Sequence, residues 1–262
     1  MIPILTIIFF VFGLIIGSFL NVVIFRFNTQ KSFGGRSACM SCQNKLSWYE
    51  LIPVVSFLGL RGRCRTCKTK ISIQYPMVEL ATGVVFAALF LKFQNTFLFS
   101  TLSFTATYAY YAVAFSLLLV ISVYDLKHKI IPDILSFGFG FLAFIGLFLF
   151  DRSFFPAFYP HLPSVAEFFY PLLIAICFAL FWLISKGRWM GLGDAKLMVG
   201  LGWLLGFPLA LSGAVLSFWI GSVIGLFLII FSKKYRFKSE LPFAPYLAVG
   251  VFLSFIFELH LF

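Results

Sequence analysis

Four cysteines and two aspartates carry the residue types and spacing that could do chemistry. Cys39-Met-Ser-Cys42 and Cys64-Arg-Thr-Cys67 are two CxxC pairs with 21 residues between them. Four thiolates so spaced can close a tetrahedral zinc site. Two disulfides, or four separate thiols, are the other uses of such pairs. Four sulfur ligands leave no open coordination position, so the zinc would be structural and not catalytic. The carboxylates are Asp125, in Ile-Ser-Val-Tyr-Asp, and Asp194, in Met-Gly-Leu-Gly-Asp-Ala-Lys-Leu. Two neighbouring carboxylates cannot easily both ionise, so one keeps a proton while the other acts as base. Such a dyad titrates as a unit and can activate a water for peptide hydrolysis. Gly191 and Gly193 would support it, by conformations closed to other residues and by letting a peptide approach closely. Without that chemistry, Asp194 is a helix N-cap and Asp125 a membrane-edge charge paired with Lys127 or Lys129.

The elements that must position these residues are set by composition. Of 262 residues, 61% are hydrophobic and only 11% charged, against roughly 25% charged in soluble domains. Apolar runs recur at the length of roughly 20 residues that a helix needs to cross a bilayer. The spacing predicts spans near 2–25, 76–93, 97–123, 130–150, 165–185, 195–208, 209–231 and 241–261. Only Gly206, Phe207 and Pro208 separate the sixth from the seventh, so one helix or two is open there, and seven spans is the rival count. The first run lacks a basic n-region and a small-residue cleavage site, and is read as a retained span rather than a signal peptide.

Charge orients the layout. With eight spans and an outside N-terminus, eighteen Lys and Arg fall on the inside and two, Lys92 and Arg152, on the outside. That asymmetry follows the positive-inside rule and places the loop after the first span in the cytoplasm. There disulfides are disfavoured and zinc favoured. The net charge of +11 lies in membrane-flanking loops and not on one helix or arm, which argues against nucleic acid as a partner. Nine basic and two acidic residues between Arg26 and Glu79 point instead to a bilayer with anionic headgroups. The expected chain is an all-α polytopic membrane protein in three parts. Residues 1–25 are a first transmembrane helix, 26–75 a small zinc-binding cytoplasmic loop domain, and 76–262 a membrane bundle carrying the aspartyl site. In this layout Asp125 and Asp194 both sit at cytoplasmic helix ends, at one depth.

Of the remaining polar residues, Asp133 after Pro132 reads as helix-start chemistry, or as a third carboxylate near the dyad. Asp151 and Glu167 read as solvated, and Cys177 as a small packing residue. His128, His161 and His260 are too scattered for a His-based metal site or a Ser-His triad.

The motifs together resemble the type IV prepilin peptidases. They run in order through Gly17-Ser18-Phe19-Leu20-Asn21, the two CxxC pairs, Leu46-Ser47-Trp48-Tyr49, and Tyr75-Pro76-x-Val78-Glu79. Asp125 with Ile131-Pro132-Asp133, Gly191-x-Gly193-Asp194-x-Lys196, and Pro242-Phe243-Ala244-Pro245-Tyr246 complete the set. Met40 departs from the proline common in the family at that place. The resemblance implies removal of the basic leader of type IV prepilins or pseudopilins at the inner membrane. N-methylation of the new terminus from S-adenosylmethionine would follow. It aligns Asp125 and Asp194 with the catalytic aspartates, and the four cysteines with the family's cytoplasmic cluster. No glycine-rich nucleotide loop marks a methyl-donor site. The first-span motif, Glu79 and Gly83 are its plausible contributors. The reading from another class is a membrane scaffold or transporter with a structural zinc loop and ion-path aspartates.

Overall fold

The structure, a computed structural model, describes residues 2–29, 34–151, 157–231 and 241–261. Lys31, Arg152, Pro156, Lys233, Lys234, Arg236, Lys238 and Glu240 lie outside the described residues. The chain divides into two compact units, Met1–Gln94 and Asn95–Phe262.

In the first unit, α1 (Ile2–Arg26) crosses α3 (Gln74–Phe99). Small residues let the two backbones meet, as membrane helices require where no hydrophobic force drives them together. A Cβ on Gly17 would lie 2.7 Å from the Cα of Glu79. Asn21, buried at this crossing, donates from Nδ2 to the carbonyl of Tyr75 at 3.1 Å. The intervening loop holds a short 3-10 helix, Trp48–Leu51, and α2 (Val55–Gly59), neither with a buried residue.

The second unit holds α4 (Thr101–His128), α5 (Asp133–Leu149), α6 (Val165–Ser185), α7 (Leu192–Leu205), α8 (Phe207–Phe231) and α9 (Ala244–Phe257). A two-residue antiparallel pair, Phe150–Asp151 with Ala157–Phe158, interrupts the helices between α5 and α6. Leu197, Met198, Leu201 and Leu204 on α7 are fully buried, which makes this helix the centre of the unit. Ser164 and Glu167 form a capping box at the start of α6, so Glu167 has a defined partner and is not simply solvated. Cys177 is exposed on α6 rather than packed inside. On an apolar helix a residue facing lipid costs nothing.

The all-helical expectation holds, and among the described residues α1 and α3 to α9 fall on the eight expected apolar segments. Five of them, α1, α3, α4, α6 and α8, are long and apolar enough to cross a membrane. At 17, 14 and 14 residues, α5, α7 and α9 fall short of the roughly 20 that a full crossing takes. Among the described residues, length and apolarity by themselves therefore qualify five of the eight expected crossings. The sixth and seventh segments are two helices. Gly206 breaks them at φ 81°, ψ 164°, a conformation that only glycine adopts cheaply. Pro208 then sits at the second position of α8, where its missing N–H is not needed.

Candidate functional site

The two CxxC pairs fold as matching turns. An antiparallel bridge closes each, Ala38 with Lys45 and Arg63 with Lys70. In the first turn the Cys39 N–H donates to the Asn44 carbonyl at 2.9 Å, and in the second the Cys64 N–H donates to the Thr69 carbonyl at 2.9 Å. Gln43 and Lys68, each directly after the second cysteine of its pair, take left-handed backbone at φ 57° and 59°. The four Sγ atoms lie within 4.8 Å of one another. Cys39 and Cys67 Sγ are 3.7 Å apart, too far for a disulfide bond of about 2.05 Å. A tetrahedron with metal–sulfur bonds of about 2.3 Å has edges close to that separation. Hydrogen bonds from the Thr69 hydroxyl and amide lower the Cys67 thiol to about 6. The Asn44 amide favours the Cys42 thiolate, but desolvation and the neighbouring sulfurs outweigh it and push that thiol up to about 11. Four sulfurs this close repel as thiolates unless a cation joins them, so the arrangement suits a metal ion.

Asp125 lies in the last turn of α4 and Asp194 in the first turn of α7, both buried. They are near enough for the charge of one to act on the other. The long apolar stretches of α4 and α7 seat them at helix ends inside the bundle. Asp125 Oδ2 accepts the Ala244 N–H at 3.2 Å. Ala244 is the first residue of α9, where backbone N–H groups have no partner within the helix. The N-cap of α7 is Gly191, so Asp194 is not itself the cap. Its Oδ1 is buried with no hydrogen-bond partner in the protein. A buried carboxylate oxygen without a protein partner is costly to desolvate, which makes Asp194 a functional-site candidate.

The glycines before Asp194 act differently from the sequence expectation, since neither has a positive φ. Gly193 serves close approach, because a Cβ there would lie 2.9 Å from the Cβ of Ile131. It thereby seats the start of α7 against the connection between α4 and α5. Gly191 adopts φ −77°, ψ 150°, open to any residue. An added Cβ would meet nothing nearer than Asp194 Oδ2 at 3.6 Å. Asp133 is the first residue of α5 and pairs with Lys196 Nζ at 2.6 Å.

Sequence reasoning did not find the Ala244 amide or the Asp133–Lys196 pair. The proline-flanked run Pro242 to Tyr246 was the available signal for the first, since paired prolines around an alanine mark a helix start. For the second, nothing in the spacing links positions 63 residues apart. In the first unit, Glu79 is buried and Oε2 accepts the Val54 N–H at 2.8 Å. Val54 is held at φ 61°, a strained angle for a β-branched residue. Asn21 Oδ1 is buried there without a partner.

Residues 11–93 match the bacterial peptidase A24 N-terminal domain, and residues 112–230 match the type IV leader peptidase family. A prepilin leader peptidase/N-methyltransferase of Bacillus subtilis (strain 168) is 33% identical, over 95% of this chain and 93% of its own. The protein of that name from Myxococcus xanthus (strain DK1622) is 34% identical over 91% of this chain and 67% of its own. The one from Neisseria gonorrhoeae is 30% identical over 94% and 88%. No solved structure matches.

Proposed function

The chain belongs to the type IV leader peptidase family, and on that premise we propose that it is an aspartic endopeptidase of the inner membrane, with Asp125 and Asp194 as its dyad. Its substrates are type IV prepilins or pseudopilins, cut on the cytoplasmic face to release the basic leader. The observation that carries this reading is Asp194, buried beside Asp125 with one oxygen unpartnered. The pair holds one proton between the two carboxylates. The ionised one takes a proton from water as the oxygen adds to the scissile carbonyl carbon. The protonated one donates to the carbonyl oxygen. The C–N bond then breaks as the carboxyl that took water's proton passes it to the leaving nitrogen, and a hydroxyl proton of the intermediate returns to the other carboxylate. The Ala244 N–H fixes the orientation of Asp125 throughout.

Cys39, Cys42, Cys64 and Cys67 would hold one structural zinc, which staples a loop with little core of its own. The same chain N-methylates the newly exposed terminus, with S-adenosylmethionine supplying the methyl group. In the first unit, the buried Glu79 carboxylate and the unpartnered Asn21 Oδ1 are acceptors suited to orient an amino group. The basic loop, with Trp48, Val55 and Leu58 exposed, rests on anionic headgroups.

The test is mass spectrometry of a prepilin incubated with the purified protein, with and without S-adenosylmethionine. The expected product lacks its leader and carries one added methyl only when the donor is present. Intact prepilin after incubation with folded, metal-loaded protein would overturn the peptidase reading. Leader loss without methylation would remove the transferase alone.

A further inference from the structure

At the loop end of the first unit, the crossing of α1 and α3 encloses two hydrogen-bond acceptors with capacity to spare. Asn21 is 1% exposed and Glu79 7%. The Asn21 amide nitrogen donates to the carbonyls of Gly17, at 3.3 Å, and Tyr75, at 3.1 Å. Two carbonyls at one end of the amide fix that end as nitrogen. Oδ1 therefore points the other way, and it is buried with no partner in the protein. Gly17 and Asn21 are one turn apart on α1, as Tyr75 and Glu79 are on α3. Gly17 backs onto the Cα of Glu79 and Asn21 reaches Tyr75, so both acceptors belong to one crossing.

The Glu79 carboxylate is held in place. Oε2 accepts the Val54 N–H at 2.8 Å, and the Ser18 hydroxyl donates to the same group. A carboxylate offers about four lone-pair positions, so capacity remains. Among the described residues, no Lys, Arg or His pairs with it. Val54 supplies its N–H from φ 61°, ψ −49°, a conformation that a β-branched residue keeps only where its surroundings impose it. Strained backbone beside a buried carboxylate that lacks a cation points to binding, since neither feature stabilises the fold. Ser18 and Val54 are half-buried, so the crossing is not sealed.

We propose that this crossing is the methyl-acceptor site, where a primary ammonium sits between Glu79 and Asn21 Oδ1 and gives its proton to Glu79. The inference rests on the methyltransferase part of the reading above and assigns its groups their roles. An ammonium carries only donors and a positive charge, which an uncompensated carboxylate and a bare amide oxygen both lack. An amine attacks only with a free lone pair, so the ammonium first loses a proton to the carboxylate that holds it. The nitrogen lone pair then forms the bond to the methyl carbon of the sulfonium donor. The carbon–sulfur bond breaks, and its electrons stay on sulfur as a neutral thioether. The product is a secondary ammonium, and the proton on Glu79 passes to water. Asn21 accepts a second N–H and aims the lone pair. Ser18 and the Val54 amide are positioning groups that hold the carboxylate.

The experiment uses full-length protein in nanodiscs. Its acceptor is a peptide that begins at the residue cleavage exposes, so methylation is read without the peptidase step. Mass spectrometry follows methyl transfer, and calorimetry follows S-adenosylmethionine binding. Glu79→Gln keeps an oxygen for the Val54 amide. It should slow methyl transfer at least about a hundredfold, with donor affinity and prepilin cleavage within about twofold of the parent and Tm unmoved. A competitor separates recognition from structure. The same peptide with a hydroxyl in place of its α-amino group should bind the parent about tenfold more weakly, and Glu79→Gln should bind the two alike. Methyl transfer by Glu79→Gln at the parent rate would overturn the proposal. So would loss of donor binding in that variant, which would make the cluster part of the donor's own site. A parent protein that moves no methyl to the peptide would overturn the transferase reading, and this assignment with it.

Discussion

In the loop between α1 and α3, four sulfurs gather within 4.8 Å although Cys64 alone of the four is buried. Asp125 and Asp194 are themselves buried, at the ends of helices whose interior side chains, such as Leu118 and Ile121 on α4 and Leu197 and Leu201 on α7, are fully enclosed. Both regions bring distant residues together, by different forces. The loop has no apolar core to do it, so short hydrogen-bonded turns hold each pair and sulfur–metal bonds would join the two pairs. In the bundle, packing holds two carboxyl groups so near each other that both cannot readily ionise. Precision bought by ligand bonds is reversible and separable, whereas precision from packing is shared among many side chains. The two regions should therefore fail in different ways.

The largest effect should come from the carboxylates. Asp125→Asn or Asp194→Asn should cut prepilin cleavage by at least about a thousandfold, the range of general acid–base catalysis. Either variant should keep its metal content, and mass spectrometry beside metal analysis checks both. Cleavage within tenfold of the parent would end the dyad assignment. In the loop, Cys64→Ser should take zinc from one per chain to below a tenth. Limited proteolysis should then cut between residues 34 and 73 while leaving α4 to α9 intact. Equal protection of parent and variant would show that the loop holds itself together without metal.

Glycines sharpen the contrast inside the bundle. Gly193→Ala forces a Cβ against Ile131 at 2.9 Å and should cost about 1–3 kcal/mol, seen as a lower Tm and slower cleavage. Ile131→Ala should restore part of both in the double variant. Gly191→Ala should move Tm much less, because its φ is ordinary and its nearest neighbour is 3.6 Å away. The smallest effect belongs to Asp133→Asn. Its pair with Lys196 is largely exposed on the aspartate side, and such pairs contribute about 0–1 kcal/mol. Cleavage should fall less than about fivefold, and the difference from the parent should shrink as salt rises.

The same contrast decides what the sequence could reveal. Cysteine pairing is local and chemically particular, so Cys39 to Cys67 read as one cluster from spacing alone. Apolar runs announced the helices, and Gly206 with Pro208 held the break between α7 and α8. What escaped was long-range. The Asp125–Ala244 bond joins residues 119 apart, and nothing near Asp125 names its partner. Gly193 was noticeable, and of the two reasons expected of it close approach is the one in use, to Ile131. Backbone freedom is the usual inference from a glycine, whereas here the missing Cβ makes room for Ile131. Hydropathy sees apolarity but not where a helix stops, so it could not show that α5, α7 and α9 are shorter than the other five.

Those short helices matter to the lipid. At 1.5 Å per residue, α7 and α9 are each about 21 Å long, against a hydrocarbon layer of about 30 Å. One begins beside Asp194 and the other with the amide that holds Asp125. Such hydrophobic mismatch is relieved by thinning the bilayer around the protein. Thinning of that kind would bring the headgroup region, and the water that hydrolysis consumes, toward the carboxylates. Membrane thickness should then bear on turnover, and prepilin cleavage in vesicles of graded acyl-chain length is expected to slow as the chains lengthen.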